Sequence, residues 1–373
     1  MRFRLATALL AIAVASAWCI EAAAQTPIRI TPQPGGAGGA SKSLAKPSKP
    51  AKARPAKKPA RKPAAQPRPA PAESEVPADA FARTETTAVP TPDVNAAYAA
   101  FQRGHYLTAF AIATQRAGEG DARAMALLGE LYANGYGVPN DDRKAAEWYG
   151  LAAERGDRAA MFALAMFRFS GRGGPRDRAA ATRLLEQAAS LGHVAATYDL
   201  GLIYLEGKVV PQDFTRAAEL FRKAADAGSP EAQYALALLY KEGRGVPKDR
   251  VEATRLLEAA SRGGNLDALV EYAIALFNGH GVPKDERAAG ELLRKAAKRG
   301  SPIAQNRLAR ILAAGRGLPA NPVEAVKWHL IARAAGISDS FLEEFLQRLP
   351  AAEREAGERA AQPWLAALAQ PRS

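Results

Sequence analysis

The chain has 373 residues, a formal net charge of +13, only 7% aromatic residues and a single cysteine. One cysteine can build neither a disulfide framework nor a zinc site of paired cysteines. The charge is also segregated: residues 26–72 hold eleven Lys/Arg and no Asp or Glu, which leaves the rest close to neutral, so a basic surface is not a property of the body of the protein.

The chain starts Met1-Arg2-Phe3-Arg4, continues with an apolar run from Leu5 to Ile20, and then offers small residues at Ala22 and Ala24. This pattern predicts a secretory signal over residues 1–24, cleaved after Ala24. The run is shorter than the roughly 20 residues that a membrane span needs. Cys19 lies inside the signal, and the bulky Trp18 before it argues against lipidation. The expected product is periplasmic or secreted, not transmembrane after cleavage, and free of cysteine.

Residues 25–92 form one low-complexity segment whose centre reads KPSKPAKARPAKKPARKPAAQPRPAPA. Closely spaced prolines remove amide donors and block helix. With almost nothing bulky and apolar to bury, no core offsets the ordering entropy. A disordered, extended and self-repelling basic linker is expected here.

Helical periodicity begins after residue 92. Residues 93–120 read as a capping pair, with one helix before a tight turn at Gly104 and a second reaching about Ala117. An internal period then takes over. Prolines recur in steps of 36 at Pro139, Pro175, Pro211, Pro247, Pro283 and Pro319, and glycines recur with the same step from Gly120 to Gly336 and from Gly135 to Gly315. Six units follow: 121–156, 157–192, 193–228, 229–264, 265–300 and 301–336.

Residues 229–264 show how one unit folds. Ser229-Pro230 is an N-cap followed by proline at the first helical position. Ala232, Leu236, Leu239 and Tyr240 share one helical face. Gly243-Arg244-Gly245-Val246-Pro247 ends this first helix, A. Asp249 caps the second helix, B, with Glu252 completing a capping box. Neither helix can bury its face alone, so neighbouring units must stack. Small residues occupy one repeat position, namely Gly129, Ala165, Gly201, Ala237, Ala273 and Ala309, where helices should approach closely. Residues 209–210 read Val-Val where glycine is usual, a change expected to bend the turn without breaking the stack. Residues 337–373 read as two capping helices, with Glu343, Glu344, Glu353, Glu355 and Glu358 on a polar outer face.

The segments Ala124-x-x-x-Leu128-Gly129-x-Leu131-Tyr132, Gly135-x-Gly137-Val138-Pro139 and Ala145-Ala146-x-Trp148-Tyr149 resemble the Sel1-like repeat, a subtype of the tetratricopeptide-like solenoids. The resemblance implies an all-α fold, a right-handed α/α superhelical solenoid. It also implies a non-enzymatic adaptor that holds a protein partner in its groove. Exported members of the family include periplasmic regulators that bind the sensor part of a membrane kinase, so a periplasmic sensor domain or another envelope protein is the partner it suggests. Cysteine-rich secreted members are associated with penicillin binding or β-lactamase activity. This chain has no cysteine beyond the signal and no Ser-x-x-Lys with Lys-Thr-Gly, so a β-lactamase-like hydrolase ranks last among the readings.

No catalytic, cofactor or metal constellation stands out. His105, His193, His280 and His329 lack a ligand neighbour at helical spacing, and His193 sits where other units carry an N-cap. Two surface features are candidates. Phe162, Phe169, Tyr198, Leu205, Tyr234 and Phe277 are expected along the concave face, where aromatic side chains would hold a peptide. Arg172, Lys208, Arg244, Lys248, His280, Lys284 and Arg316 are expected to form a basic ridge along the loop edge. The alternative function places the activity in the basic tail, as a binder of anionic cell-wall or membrane polymers. Export argues against nucleic acid as a partner.

Overall fold

The computed structural model describes residues 95–369; the expected signal, the basic linker and residues 370–373 lie outside them. Among the described residues the chain forms sixteen α-helices and no strand. α1 (Ala96–Gln102) and α2 (Tyr106–Gly118) come first. Six pairs follow: α3 (Ala122–Asn134) with α4 (Asp142–Glu154), α5 (Arg158–Ser170) with α6 (Arg178–Ser190), α7 (Val194–Glu206) with α8 (Phe214–Asp226), α9 (Pro230–Glu242) with α10 (Arg250–Arg262), α11 (Leu266–Asn278) with α12 (Glu286–Lys298), and α13 (Pro302–Ala314) with α14 (Pro322–Ala334). α15 (Ser340–Arg348) and α16 (Ala351–Ala369) close the array. Through the repeats each helix packs on the next, and α16 turns back along α14. The result is an α/α solenoid with an A layer (α3, α5, α7, α9, α11, α13) and a B layer (α4, α6, α8, α10, α12, α14).

Local chemistry sets the helix ends. Asp121, Asp157, His193, Ser229, Asn265 and Ser301 begin the A helices, and each side chain accepts a backbone N–H of the first turn. Each A helix stops on a left-handed glycine such as Gly243. The chain then folds back, and the backbone N–H of the B-helix cap donates to the A helix, as from Asp249 to the Tyr240 carbonyl at 3.0 Å. All six units make this bond. It also changes one expectation. The capping box at Glu252 is half formed: Asp249 accepts the Glu252 amide at 3.0 Å, but the Glu252 carboxylate pairs with Arg255 at 2.7 Å instead of reaching back. The Asp249 amide is already engaged by Tyr240.

The third unit shows the cost of losing a loop glycine. At the equivalent position Gly281 has φ 73°, and a Cβ there would lie 2.1 Å from the Arg250 carbonyl oxygen. Val209 cannot follow that path. The Lys208 amide accordingly lacks the bond to its A helix that the Tyr136, Arg172, Arg244, His280 and Arg316 amides make, while the Asp213 to Tyr204 bond survives. The turn bends and the stack holds.

The A–B seam within each unit is matched by volume. A Cβ on Gly129 would meet the Tyr149 ring at 2.6 Å, and one on Gly201 would meet the Phe221 ring at 2.6 Å. Twenty residues separate each pair. At the same spacing Ala165, Ala237 and Ala273 stand with Leu185, Leu257 and Leu293 inside the shared cores. In these five units glycine accompanies an aromatic ring and alanine accompanies leucine, so the two partners compensate in volume; the sixth unit pairs Ala309 with His329.

At the C-terminal end Glu343 departs from the expected outer face. Its carboxylate meets His329 Nε2 at 3.1 Å and Arg333 at 3.2 Å. A buried imidazole draws it inward, whereas Glu344, Glu355 and Glu358 are exposed.

Candidate protein-binding face

The loop-edge cations have individual partners. Residues thirty apart meet across adjacent units, the loop residue of one facing the start of the preceding B helix. Arg172 grips Asp142 through Nε at 3.0 Å and lies over the Phe167 ring. Arg244 lies 4.1 Å from the Phe214 ring centroid, Arg316 pairs with Glu286, and Tyr136 stacks on Tyr106 at 4.7 Å. Lys208 and His280 face Arg178 and Arg250 in this register and form no such tie; Lys208 turns to Glu206 at 3.4 Å instead. Lys284 pairs with Glu286 at 2.8 Å, and Lys248 is exposed. The expected ridge is thus a set of inter-repeat ties: its three arginines are used in holding units together, because each finds an acid or a ring opposite.

The six apolar candidates also divide. Tyr198, Tyr234 and Phe277 are buried in the cores; the Tyr198 ring lies 5.6 Å from Phe221, and Phe277 is covered by Arg316. These three fill the space between helices and do not line an open face. Phe162, Phe169 and Leu205 are half-buried, and Phe162 stacks on His193 at 4.8 Å. With Met166, Leu238 and Ile274 they leave partly open apolar surface on α5, α7, α9 and α11.

Polar groups share this side of the A layer. Asp199, Glu271 and Arg307 occupy one repeat position, where α5 and α9 carry Ala163 and Ala235. Glu271 bonds Lys241 of α9 at 2.8 Å, and Arg307 feels Arg310, Asp339 and Glu271. Their partners lie on α9, α11, α13 and at the start of α15, so this row looks away from the B layer. Asn306 and Arg310 both donate to Asp339, at 2.8 and 3.0 Å. Asp199 differs from its neighbours. It is 8% exposed and takes no hydrogen bond or ion pair among the described residues, and burial pushes its carboxyl up to about 7. The hydroxyl of Tyr198, next to it in sequence, and Glu206 Oε1 at the end of α7 are enclosed without a hydrogen-bond partner. Tyr198 is also pushed up, first by burial and then by Asp199 and Glu231. The sequence does carry a signal for Asp199: it is an acid at a position that is alanine in both adjacent units.

The remaining histidines have structural settings. His193 Nδ1 caps α7 by accepting the Ala196 amide at 3.1 Å. The exposed His280 is engaged through its backbone, its amide donating to the Ala275 carbonyl and its carbonyl accepting from Thr254 Oγ1, both at 2.9 Å. His329 is buried, with Nδ1 enclosed and unbonded, and burial holds it below its ordinary value. Among the described residues no three His, Cys, Asp or Glu side chains gather as for a metal, and no helix is long and apolar enough to cross a membrane.

Stacked antiparallel helix pairs, capped at both ends and tied unit to unit, define an α-solenoid repeat protein. The profile of the Sel1 repeat matches six consecutive copies, residues 122–157, 158–193, 194–229, 230–265, 266–301 and 302–337, more than half of the chain. The protein belongs to the Sel1 repeat family. Each matched copy starts one residue after the N-cap that opens its A helix. Among solved structures the chain is similar to a Sel1 repeat protein from Oxalobacter formigenes, with 25% identity and a TM-score of 0.59 over 64% of this chain and 98% of that one. It is also similar to c5321, a protective antigen present in uropathogenic Escherichia coli strains, with 26% identity and a TM-score of 0.50 over 72% of this chain and 68% of that one. No curated protein sequence matches the chain significantly.

Proposed function

We propose that this Sel1-repeat solenoid is a non-enzymatic scaffold of the bacterial cell envelope that binds a protein partner along the open side of its A layer. The fold is commonly a protein-interaction scaffold. The observation that carries the reading is the run of half-buried apolar side chains, Phe162, Met166, Leu205, Leu238 and Ile274, on four successive A helices. Large side chains left partly open on a rigid framework are what an extended or helical segment covers. The envelope assignment rests on the signal pattern of residues 1–24.

Photo-crosslinking residues at Met166 and Ile274 should yield one common adduct in the native host, and those at the exposed B-helix positions Arg183 and Glu219 should yield none. Adducts from the B positions alone would overturn the reading. The envelope assignment is checked by mass spectrometry of the purified N-terminus, expected at Gln25; an intact Met1 on cytoplasmic protein refutes it. The cation-only segment 26–72 supports a second attachment, to anionic envelope polymers. Salt-sensitive binding to envelope fragments should disappear when residues 25–72 are removed, and binding that persists without them excludes it.

A further inference from the structure

We propose that Asp199 is the anchor for a lysine or arginine side chain of the partner segment that crosses α7 on the open side of the A layer. This rests on the scaffold reading above and specifies the chemistry of the partner.

Four observations converge. First, the Asp199 carboxylate is deep but reachable: the residue is 8% exposed, yet its oxygens are not among the enclosed unbonded atoms. Second, nothing among the described residues satisfies it. A carboxylate has room for about four donors, and Asp199 receives none among the described residues. No cation among the described residues acts on it; Lys208 and Lys241 pair instead with Glu206 at 3.4 Å and Glu271 at 2.8 Å. Third, burial alone lifts its carboxyl and no neighbouring charge contributes, so a neutral donor would fill one acceptor site there, whereas a cation would also offset the uncompensated charge. Fourth, the fold does not ask for an acid here. Ala163 and Ala235 hold the same position on α5 and α9, and two alanines leave the carboxylate without a neighbour long enough to reach it. Burial lifts Asp199 to about 7, the condition of a carboxylate whose counter-charge has not arrived.

An ammonium or guanidinium group of the incoming segment donates to the Asp199 carboxylate. Glu271 at the equivalent position two units on already shows the intramolecular version, a carboxylate closed by Lys241.

The test uses the full chain and a positional-scanning library of nonapeptides in which one position at a time is lysine, arginine, citrulline, norleucine or glutamate. The wild-type chain should select lysine or arginine over citrulline and norleucine at one position by roughly tenfold, the size of one charge-assisted contact. Asp199→Asn should lose that selection while still retaining peptides through the apolar contacts; Asp267→Asn, at an exposed position on α11, should keep it. Circular dichroism and urea melts confirm that both variants are folded. Basic selection that persists in Asp199→Asn, or retained peptides without basic selection, overturns the anchor and leaves the scaffold reading intact. Retention of no peptide by the wild-type chain overturns both.

Discussion

Replacing Asp199 by asparagine keeps the size of the side chain and removes its charge. Burial lifts the carboxyl from 3.8 to about 7 in the folded chain. Each tenfold gain in proton affinity corresponds to about 1.4 kcal/mol, so holding the ionised form inside the stack costs about 4 kcal/mol at a pH well above 7. The folded state binds this proton more tightly than the unfolded state. Between pH 3.8 and 7 the contribution of Asp199 to the unfolding free energy should fall as pH rises, and it should level off above 7. The asparagine amide carries no charge but still lacks a partner, which returns part of the gain at about 1–3 kcal/mol. Asp199→Asn should accordingly be more stable than wild type by about 1–3 kcal/mol at pH 8.5 and similar to it or slightly weaker near pH 4.5. Urea melts by circular dichroism at constant ionic strength, every half pH unit, give the difference curve. Solenoids can unfold in segments, so that curve, not an absolute stability, is the readout. A difference that does not change with pH, or a variant that is weaker at pH 8.5, refutes the account of Asp199 as an unpaired buried carboxylate.

Gly201→Ala should destabilise by about 1–3 kcal/mol despite the better helix propensity of alanine, because the new methyl meets the Phe221 ring at 2.6 Å; adding Phe221→Leu should recover most of the loss in a thermal melt. His329 is held below 6.5 by burial, so the unfolded chain takes up the proton first and the histidine's own contribution to stability should drop as pH falls below 6.5, opposite in sign to that of Asp199; the stability of His329→Leu relative to wild type should therefore rise from pH 7 to 5 in paired melts. A double-mutant cycle on Arg172→Ala and Asp142→Ala should give a coupling of about 0.5–1 kcal/mol, reduced by salt, since both side chains are about one-third exposed. Lys208→Asp should create the missing tie to Arg178 and raise the melting midpoint slightly, whereas an unchanged or lower midpoint would contradict the thirty-residue register.

What the sequence disclosed was whatever depends on neighbours along the chain. Ser229, Asp249 and Gly243 mark helix ends because caps act through local backbone groups, and the structure shows each in that role. The glycine and proline combs give the pitch of the stack for the same reason. The contents of the faces were harder to read. Tyr198, Tyr234 and Phe277 share a helical angle with open positions, but the adjacent unit covers them, and the angle within one helix carries no information about the next. Arg172 and Arg316 look like free loop cations until Asp142 and Glu286, thirty residues earlier, are brought opposite them. Glu343 belongs on an outer face by pattern and is turned inward by the buried His329. Asp199 escapes notice in the sequence because a single acid among capping acids looks ordinary until its surroundings show that it caps nothing.

The thirty-residue ties make the array a sentence with a fixed word order. Removal of residues 157–192 would splice the chain in phase and bring Lys208 opposite Asp142, a complementary junction. Removal of residues 193–228 would splice equally in phase but bring Arg244 opposite Arg178, two like charges where a guanidinium now rests on Phe214. Units that are interchangeable by length are therefore not interchangeable by chemistry. Recombination between them meets an electrostatic proofreading step at each junction, and some shortened arrays pass it while others fail.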